Sequence, residues 1–151
     1  MVARGDLGVD VPLQRIPVLQ KHMIRKCNRA GKPVITATQM MESIVTSARP
    51  TRAEVTDIAN AIFGGTGAVM LSPKTSTGSY PVATVRMMSQ VARAVERHLH
   101  YVQMLIERGS WLEPQTDDLI SYNACHIANG LGTSAIVVFT ESGSTARRVS
   151  K

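Results

Sequence analysis

Val34-Ile35-Thr36-Ala37 is a short apolar run between a helix stop at Gly31 and the polar pair Thr38-Gln39, and its reading decides the fold. Two similar runs flank it at a spacing of about 33 residues, Met1–Ala3 before it and Ala68–Leu71 after it. A helix-like segment follows each run. The first opens at Pro17, whose fixed φ suits the first helical position, and carries Val18, Leu19, Met23, Ile24 and Cys27 to Gly31. The second opens on Thr51-Arg52-Ala53-Glu54, a capping box in which the Thr51 and Glu54 side chains each satisfy the other residue's orphan amide. It turns Val55, Ile58, Ala59 and Ile62 inward and ends at Gly64-Gly65. The third is expected from Pro81 to about Leu105, with Val85, Met88, Val91, Ala92, Val95 and Leu99 along it. Strands alternating with helices at this spacing predict βα units around a parallel sheet.

The pattern changes after Glu107. Arg108–Gln115 reads as a linker, and a helix follows with Thr116 as its N-cap and Asp117 and Asp118 in its electropositive first turn. Ala135–Phe139 has the composition of a buried strand, Thr140–Thr145 is a polar loop, and a last helix is expected from near Ala146. The expected organisation is therefore α/β: a partial barrel over residues 1–107, a linker over 108–115 and the start of a second α/β domain over 116–151. Residue 1 reads as lying within a strand and residue 151 within a helix, so both ends look cut. Three βα units cannot close a barrel and would leave strand edges and apolar helix faces uncovered.

Of the 151 residues, 44% are apolar and 19% charged, which is ordinary globular composition and excludes a disordered or low-complexity chain. No apolar run approaches the roughly 18 residues of a membrane helix, and no secretory signal is read at the N-terminus. Cys27 and Cys125 are too few for a zinc site and too far apart in sequence for a disulfide framework, which predicts a reduced, cytoplasmic protein. The net charge of +6 favours anionic partners. With only 4% aromatic residues, base stacking is a poor expectation, and no nucleic-acid partner is expected. Lys21, Arg25, Lys26, Arg29 and Lys32 fall instead on a solvent face and near a helix C-terminus, where cations suit the dipole.

Three loops follow the three barrel strands, and active sites of βα barrels lie at that end. In Ala3-Arg4-Gly5-Asp6-Leu7-Gly8, Gly5 allows close approach of a ligand and leaves its amide free to donate. Asp6 is a hard oxygen ligand of the kind Mg²⁺ takes, or equally a turn residue capping backbone amides. Thr36-Ala37-Thr38-Gln39 sets hydroxyls at the equivalent place, either toward a ligand or as strand-end caps. Ser72–Gly78 is ligand-lining or a solvated connection. Thr140–Thr145, between a strand and a helix, offers hydroxyls and amides to a phosphate, with Arg147 and Arg148 close by, or serves simply as a helix cap. His22, His98, His100 and His126 make no metal pair and read as surface or packing residues.

Several of these segments, in order, resemble the pyruvate kinase family. Met1–Val9 is similar to its sixth barrel strand and the turn after it. Cys27–Ile35 and Ala37–Ser43 resemble the next helix and the seventh strand. Arg49–Glu54 and Asp57–Ala61 continue the match, and Tyr80-Pro81 resembles the entry to the last barrel helix. Thr140–Gly143 is similar to the effector loop of the C-terminal domain. The resemblance implies the last three βα units of a TIM (β/α)8 barrel and the start of the C-terminal domain. It implies transfer of a phosphoryl group between phosphoenolpyruvate and ADP, giving pyruvate and ATP, with Mg²⁺ (or Mn²⁺) and K⁺, in a cytoplasmic homotetramer. By the same resemblance Asp6 is the metal ligand, the amides of Gly5 and Asp6 and the hydroxyl of Thr38 hold the substrate carboxylate, and Thr140, Ser142, Ser144 and Thr145 line the effector phosphate loop.

The resemblance also implies that the catalytic lysine and a second metal-ligating glutamate precede residue 1. The loss of one such electrostatic contact removes roughly 3 kcal/mol or more of transition-state stabilisation. The chain alone is therefore expected to be inactive, or nearly so. Ser72-Pro73-Lys74-Thr75 departs from the family pattern, with Lys74 reversing a charge at the barrel mouth. The alternative to an enzyme segment is a remnant that binds a phosphometabolite or pairs with kinase subunits without catalysis.

Overall fold

A computed structural model of the chain describes residues 1–47, 49–112 and 115–150, with Pro73 and Lys74 described in their backbone only. Three short strands, β1 (Val2–Ala3), β2 (Ile35–Ala37) and β3 (Ala68–Met70), form one parallel sheet in that order. The register pairs Val2 with Thr36, Ala3 with Ala37 and Ala37 with Met70. Parallel neighbours require crossovers. Helices α1 (Arg4–Asp10) and α2 (Ile16–Arg29) lie between β1 and β2, and α3 (Arg52–Phe63) lies between β2 and β3. After β3 come α4 (Pro73–Ser76), α5 (Pro81–Glu96), α6 (Tyr101–Gly109), α7 (Thr116–Leu131) and α8 (Ser144–Val149).

The chain divides into two compact units, Met1–Asn28 with Pro33–Leu99, and Arg29–Lys32 with the chain from His100 onward. In the first, Ile58 and Ala61 of α3 and Met88, Val91 and Val95 of α5 share a core with Met40, Met41 and Ile44 from the loop after β2. Val2, Ile24 and Val34 form a smaller cluster against α2. The capping box predicted at α3 is present: the Thr51 hydroxyl accepts from the Glu54 amide at 3.3 Å, and the Glu54 carboxylate accepts from the Thr51 amide at 2.8 Å. The turn after α3 places Gly65 at φ +87°, where Asn28 Nδ2 donates to its carbonyl at 2.9 Å.

The structure departs from the sequence expectations at several places. Arg4–Asp10 is helical rather than an open turn, although Gly5 and Gly8 weaken its helix propensity. The long helix expected from Pro81 to Leu105 stops at Glu96. The His98 and Leu99 amides turn back to the carbonyls of Val95 and Glu96, tightening the last turn, and α6 starts afresh at Tyr101. Val85, one of the apolar residues along α5, is 53% exposed. The segment read as a linker begins inside α6, and Glu113 and Pro114 lie outside the described residues. Gln115, with extended backbone, holds the cap position of α7, so Thr116 is its first helical residue.

Ala135–Phe139 pairs with no strand among the described residues, and Phe139 is 96% exposed. Apolar composition alone does not make a strand without a partner edge. The last helix starts at Ser144, with Gly143 at φ +76° as its cap.

Candidate functional site

The register that pairs Ala3 with Ala37 brings the next residues, Arg4 and Thr38, together at the C-terminal ends of adjacent parallel strands. Arg4 is 7% exposed, and its Nη1 and Nη2 donate to the two oxygens of Asp57 on α3 at 2.6 and 2.7 Å. Nη2 also donates to the Thr38 carbonyl at 2.7 Å. The Gly5 amide donates to Thr38 Oγ1 at 2.8 Å, and that hydroxyl donates to the Ala37 carbonyl at 2.7 Å. The Gly5 amide is thus engaged rather than free, because the strand register puts an acceptor in front of it. A Cβ built on Gly5 would meet Thr38 only at van der Waals distance.

Thr38, Gln39 and Met41 have φ values of +68°, +55° and +55°. For a β-branched residue such as Thr38 this is a backbone outlier. The turn is pinned on its far side by Met40 and Met41, both fully buried, and by Glu54. The Glu54 carboxylate accepts from the Ser43 amide at 2.7 Å, from the Ser43 hydroxyl, and from the amide and hydroxyl of Thr51. Burial would raise its pKa, but these four donors favour the ionised form and bring it down to about 2.

Asp6 is exposed in the first turn of α1, with no protein partner among the described residues. Mg²⁺ commonly takes one or two carboxylates and completes its shell with substrate oxygens and water. A free, hard oxygen donor beside Gly5 suits such an ion. Among the described residues no group of three His, Cys, Asp or Glu converges on a metal position. His22, His98 and His100 are exposed, and His126 packs edge-on against Tyr122 with ring centroids 4.5 Å apart. In the third loop, α4 closes on a Thr75 hydroxyl bond to the Ser72 carbonyl at 3.2 Å. The side chains of Pro73 and Lys74, and with them the reversed charge at the barrel mouth, lie outside the described residues.

In the second unit the Gly143 amide donates to Thr140 Oγ1 at 3.0 Å and the Ser144 amide to Ser142 Oγ at 3.4 Å. Ser144 and Thr145 open the six-residue α8. Of the two arginines expected nearby, Arg148 is committed to Asp118 at 2.9 Å and Asp117 at 3.4 Å, while Arg147 is exposed. The Arg4–Asp57 pair and the strained turn were not anticipated from sequence. The available signal was Asp57, one turn before the buried Ala61 on the same face of α3, where a carboxylate calls for a partner.

Residues 1–85 match the family described as pyruvate kinase, barrel domain, and residues 118–151 match pyruvate kinase, alpha/beta domain. The whole chain aligns at 52% identity with a pyruvate kinase of Clostridium acetobutylicum, covering 32% of that protein. It aligns at 50% identity with a pyruvate kinase of Bacillus licheniformis, again over all of this chain and 26% of the relative. A crystal structure of a pyruvate kinase from Cryptosporidium parvum superimposes with a TM-score of 0.93 at 44% identity, covering 97% of this chain and 30% of that one. The chain thus spans about a third or less of the length of these relatives.

Proposed function

The chain belongs to the pyruvate kinase family, its parallel βα units matching the barrel domain and its last part the α/β domain, and from that premise we propose that it carries the substrate-carboxylate and divalent-metal corner of a phosphoryl-transfer site. The reaction is transfer between phosphoenolpyruvate and ADP, giving pyruvate and ATP, as a step of cytoplasmic glycolysis carried out by a homotetramer that also uses K⁺. The observation that carries this reading is the convergence of Gly5 and Thr38, 2.8 Å apart at the ends of neighbouring strands, with the exposed Asp6 next in sequence.

Asp6 would hold Mg²⁺ or Mn²⁺, which when bound supplies positive charge against the phosphoryl and carboxylate oxygens. The chain's own part is to bind and orient. In the free chain the Gly5 amide and the Thr38 hydroxyl are satisfied within the protein. A carboxylate entering there exchanges those neutral bonds for charge-assisted ones from the Gly5 and Asp6 amides and the Thr38 hydroxyl, which are roughly twice as strong. The turn is already held in place, so little ordering is required when the ligand arrives. Phosphoryl transfer also needs the transferring group neutralised. One metal on Asp6 supplies only part of that charge, so the chain in isolation is read as binding with little or no turnover. The hydroxyls of Thr140, Ser142, Ser144 and Thr145 are read as the place of an effector phosphate in the second unit.

A thermal melt with and without Mg²⁺ plus phosphoenolpyruvate tests the reading. With ligand at 100 times its dissociation constant, native-state binding adds about 2.7 kcal/mol and raises the midpoint. Asp6→Asn is expected to abolish the metal-dependent part of the shift. A wild-type transition insensitive to both ligands would sink the proposal.

A further inference from the structure

Arg4 opens α1 almost fully buried, and its side-chain hydrogen bonds run to distant segments, Asp57 on α3 and Thr38 after β2. Its neighbour Gly5 donates to the Thr38 hydroxyl. Residues 4 and 5 therefore grip Thr38 by carbonyl and side chain together, at the point where the backbone most needs holding. A β-branched residue at φ +68°, followed by two more left-handed residues within three positions, persists only where its surroundings over-determine it.

A buried ion pair is weak evidence for stability, because desolvation offsets its attraction and an apolar pair of similar volume often serves as well. An apolar pair cannot donate to the Thr38 carbonyl. Arg4 Nε is moreover buried with no acceptor among the described residues, which counts against a purely stabilising role. The bidentate Asp57 contact leaves the guanidinium one orientation, and in it Nη2 meets Thr38.

We propose that Arg4, oriented by Asp57, is a positioning residue for Thr38: it holds the strained turn after β2 so that the Thr38 hydroxyl stands beside the Gly5 amide. Its consequence for ligand affinity rests on the carboxylate reading given above, while its geometric content does not. The test compares the wild-type chain with the double variant Arg4→Met/Asp57→Leu, which replaces the ion pair by an apolar one. Amide hydrogen exchange is followed at Gly5, with Gly67, bonded to the Val34 carbonyl at 2.9 Å, as internal control. Affinity is measured for phosphoenolpyruvate with Mn²⁺ and for Mn²⁺ alone.

In a variant that still melts cooperatively, Gly5 exchange relative to Gly67 is expected to rise about tenfold. Phosphoenolpyruvate affinity should fall by about tenfold, the usual effect of losing a hydrogen bond to a charged group, with Mn²⁺ affinity unchanged. Wild-type exchange at Gly5 in the folded double variant overturns the proposal. If the double variant does not fold, Asp57→Asn carries the same comparison, with a change of about threefold supporting the proposal and none overturning it. A wild-type chain that ignores phosphoenolpyruvate would remove the carboxylate reading alone, and the Gly5 exchange ratio would still decide this one.

Discussion

Two polar turns in this chain each follow an apolar run, and they are held by different means. The turn from Thr38 to Val45 is tied to residues outside it in sequence: Arg4 and Gly5 from one side and Glu54 from the other, with Met40, Met41 and Ile44 sunk in the core. The turn from Thr140 to Ser144 is held by bonds spanning two or three residues, Gly143 to Thr140 and Ser144 to Ser142, and follows a Phe139 that is 96% exposed. Local bonds can shape a loop but cannot hold a costly backbone conformation against solvent. Three left-handed non-glycine residues occur in the first turn, and the second uses Gly143 for its left-handed position. Long-range anchoring is what allows strain to be kept in the first turn.

The contrast is broken or sharpened most strongly in the core beneath the first turn. Ile58, fully buried, should lose about 3 kcal/mol on truncation to alanine, whereas Phe139→Ala should stay within about 0.5 kcal/mol. Urea denaturation of the two variants measures both, and equal losses would show that Phe139 is anchored after all.

Acid is the next lever. Glu54 is held down at about 2 from its ordinary 4.5, so its contribution is complete above the unfolded value and disappears as pH falls through the folded one. Wild type should lose stability relative to Glu54→Gln between about pH 4.5 and 2, measured as the difference in urea midpoints. A pH-independent difference between them would mean that the four donors do not act on the charge.

The smaller effects lie in the caps. Thr51→Ala removes the capping hydroxyl of α3 and should cost about 1 kcal/mol. Thr140→Ala removes a comparable amide bond from an exposed loop and should cost about 0.5 kcal/mol or less. Thermal midpoints rank the pair, and a larger loss at Thr140 would reverse the comparison.

Much of the fold was legible in the sequence because it rests on local chemistry and on periodicity. Spacing of three apolar runs located β1, β2 and β3, and Thr51 with Glu54 marked the start of α3 by an interaction three residues long. Asp117 and Asp118 marked the first turn of α7 in the same way. The linked segments from Met1–Val9 to Thr140–Gly143 carried the family resemblance, which the matches over residues 1–85 and 118–151 bear out.

What the tertiary structure decided depends on partners that sequence order does not reveal. Ala135–Phe139 has strand composition but no pairing edge among the described residues, and Val85 sits at a helical spacing that packing leaves half exposed. Arg4 and Asp57 are 53 residues apart, and only the register of β1 on β2 and the seating of α3 bring them into contact. Residue types, caps and periodicity act within a turn or two of chain and can be read directly. An ion pair, a strained turn or an engaged amide exists only once distant segments have packed.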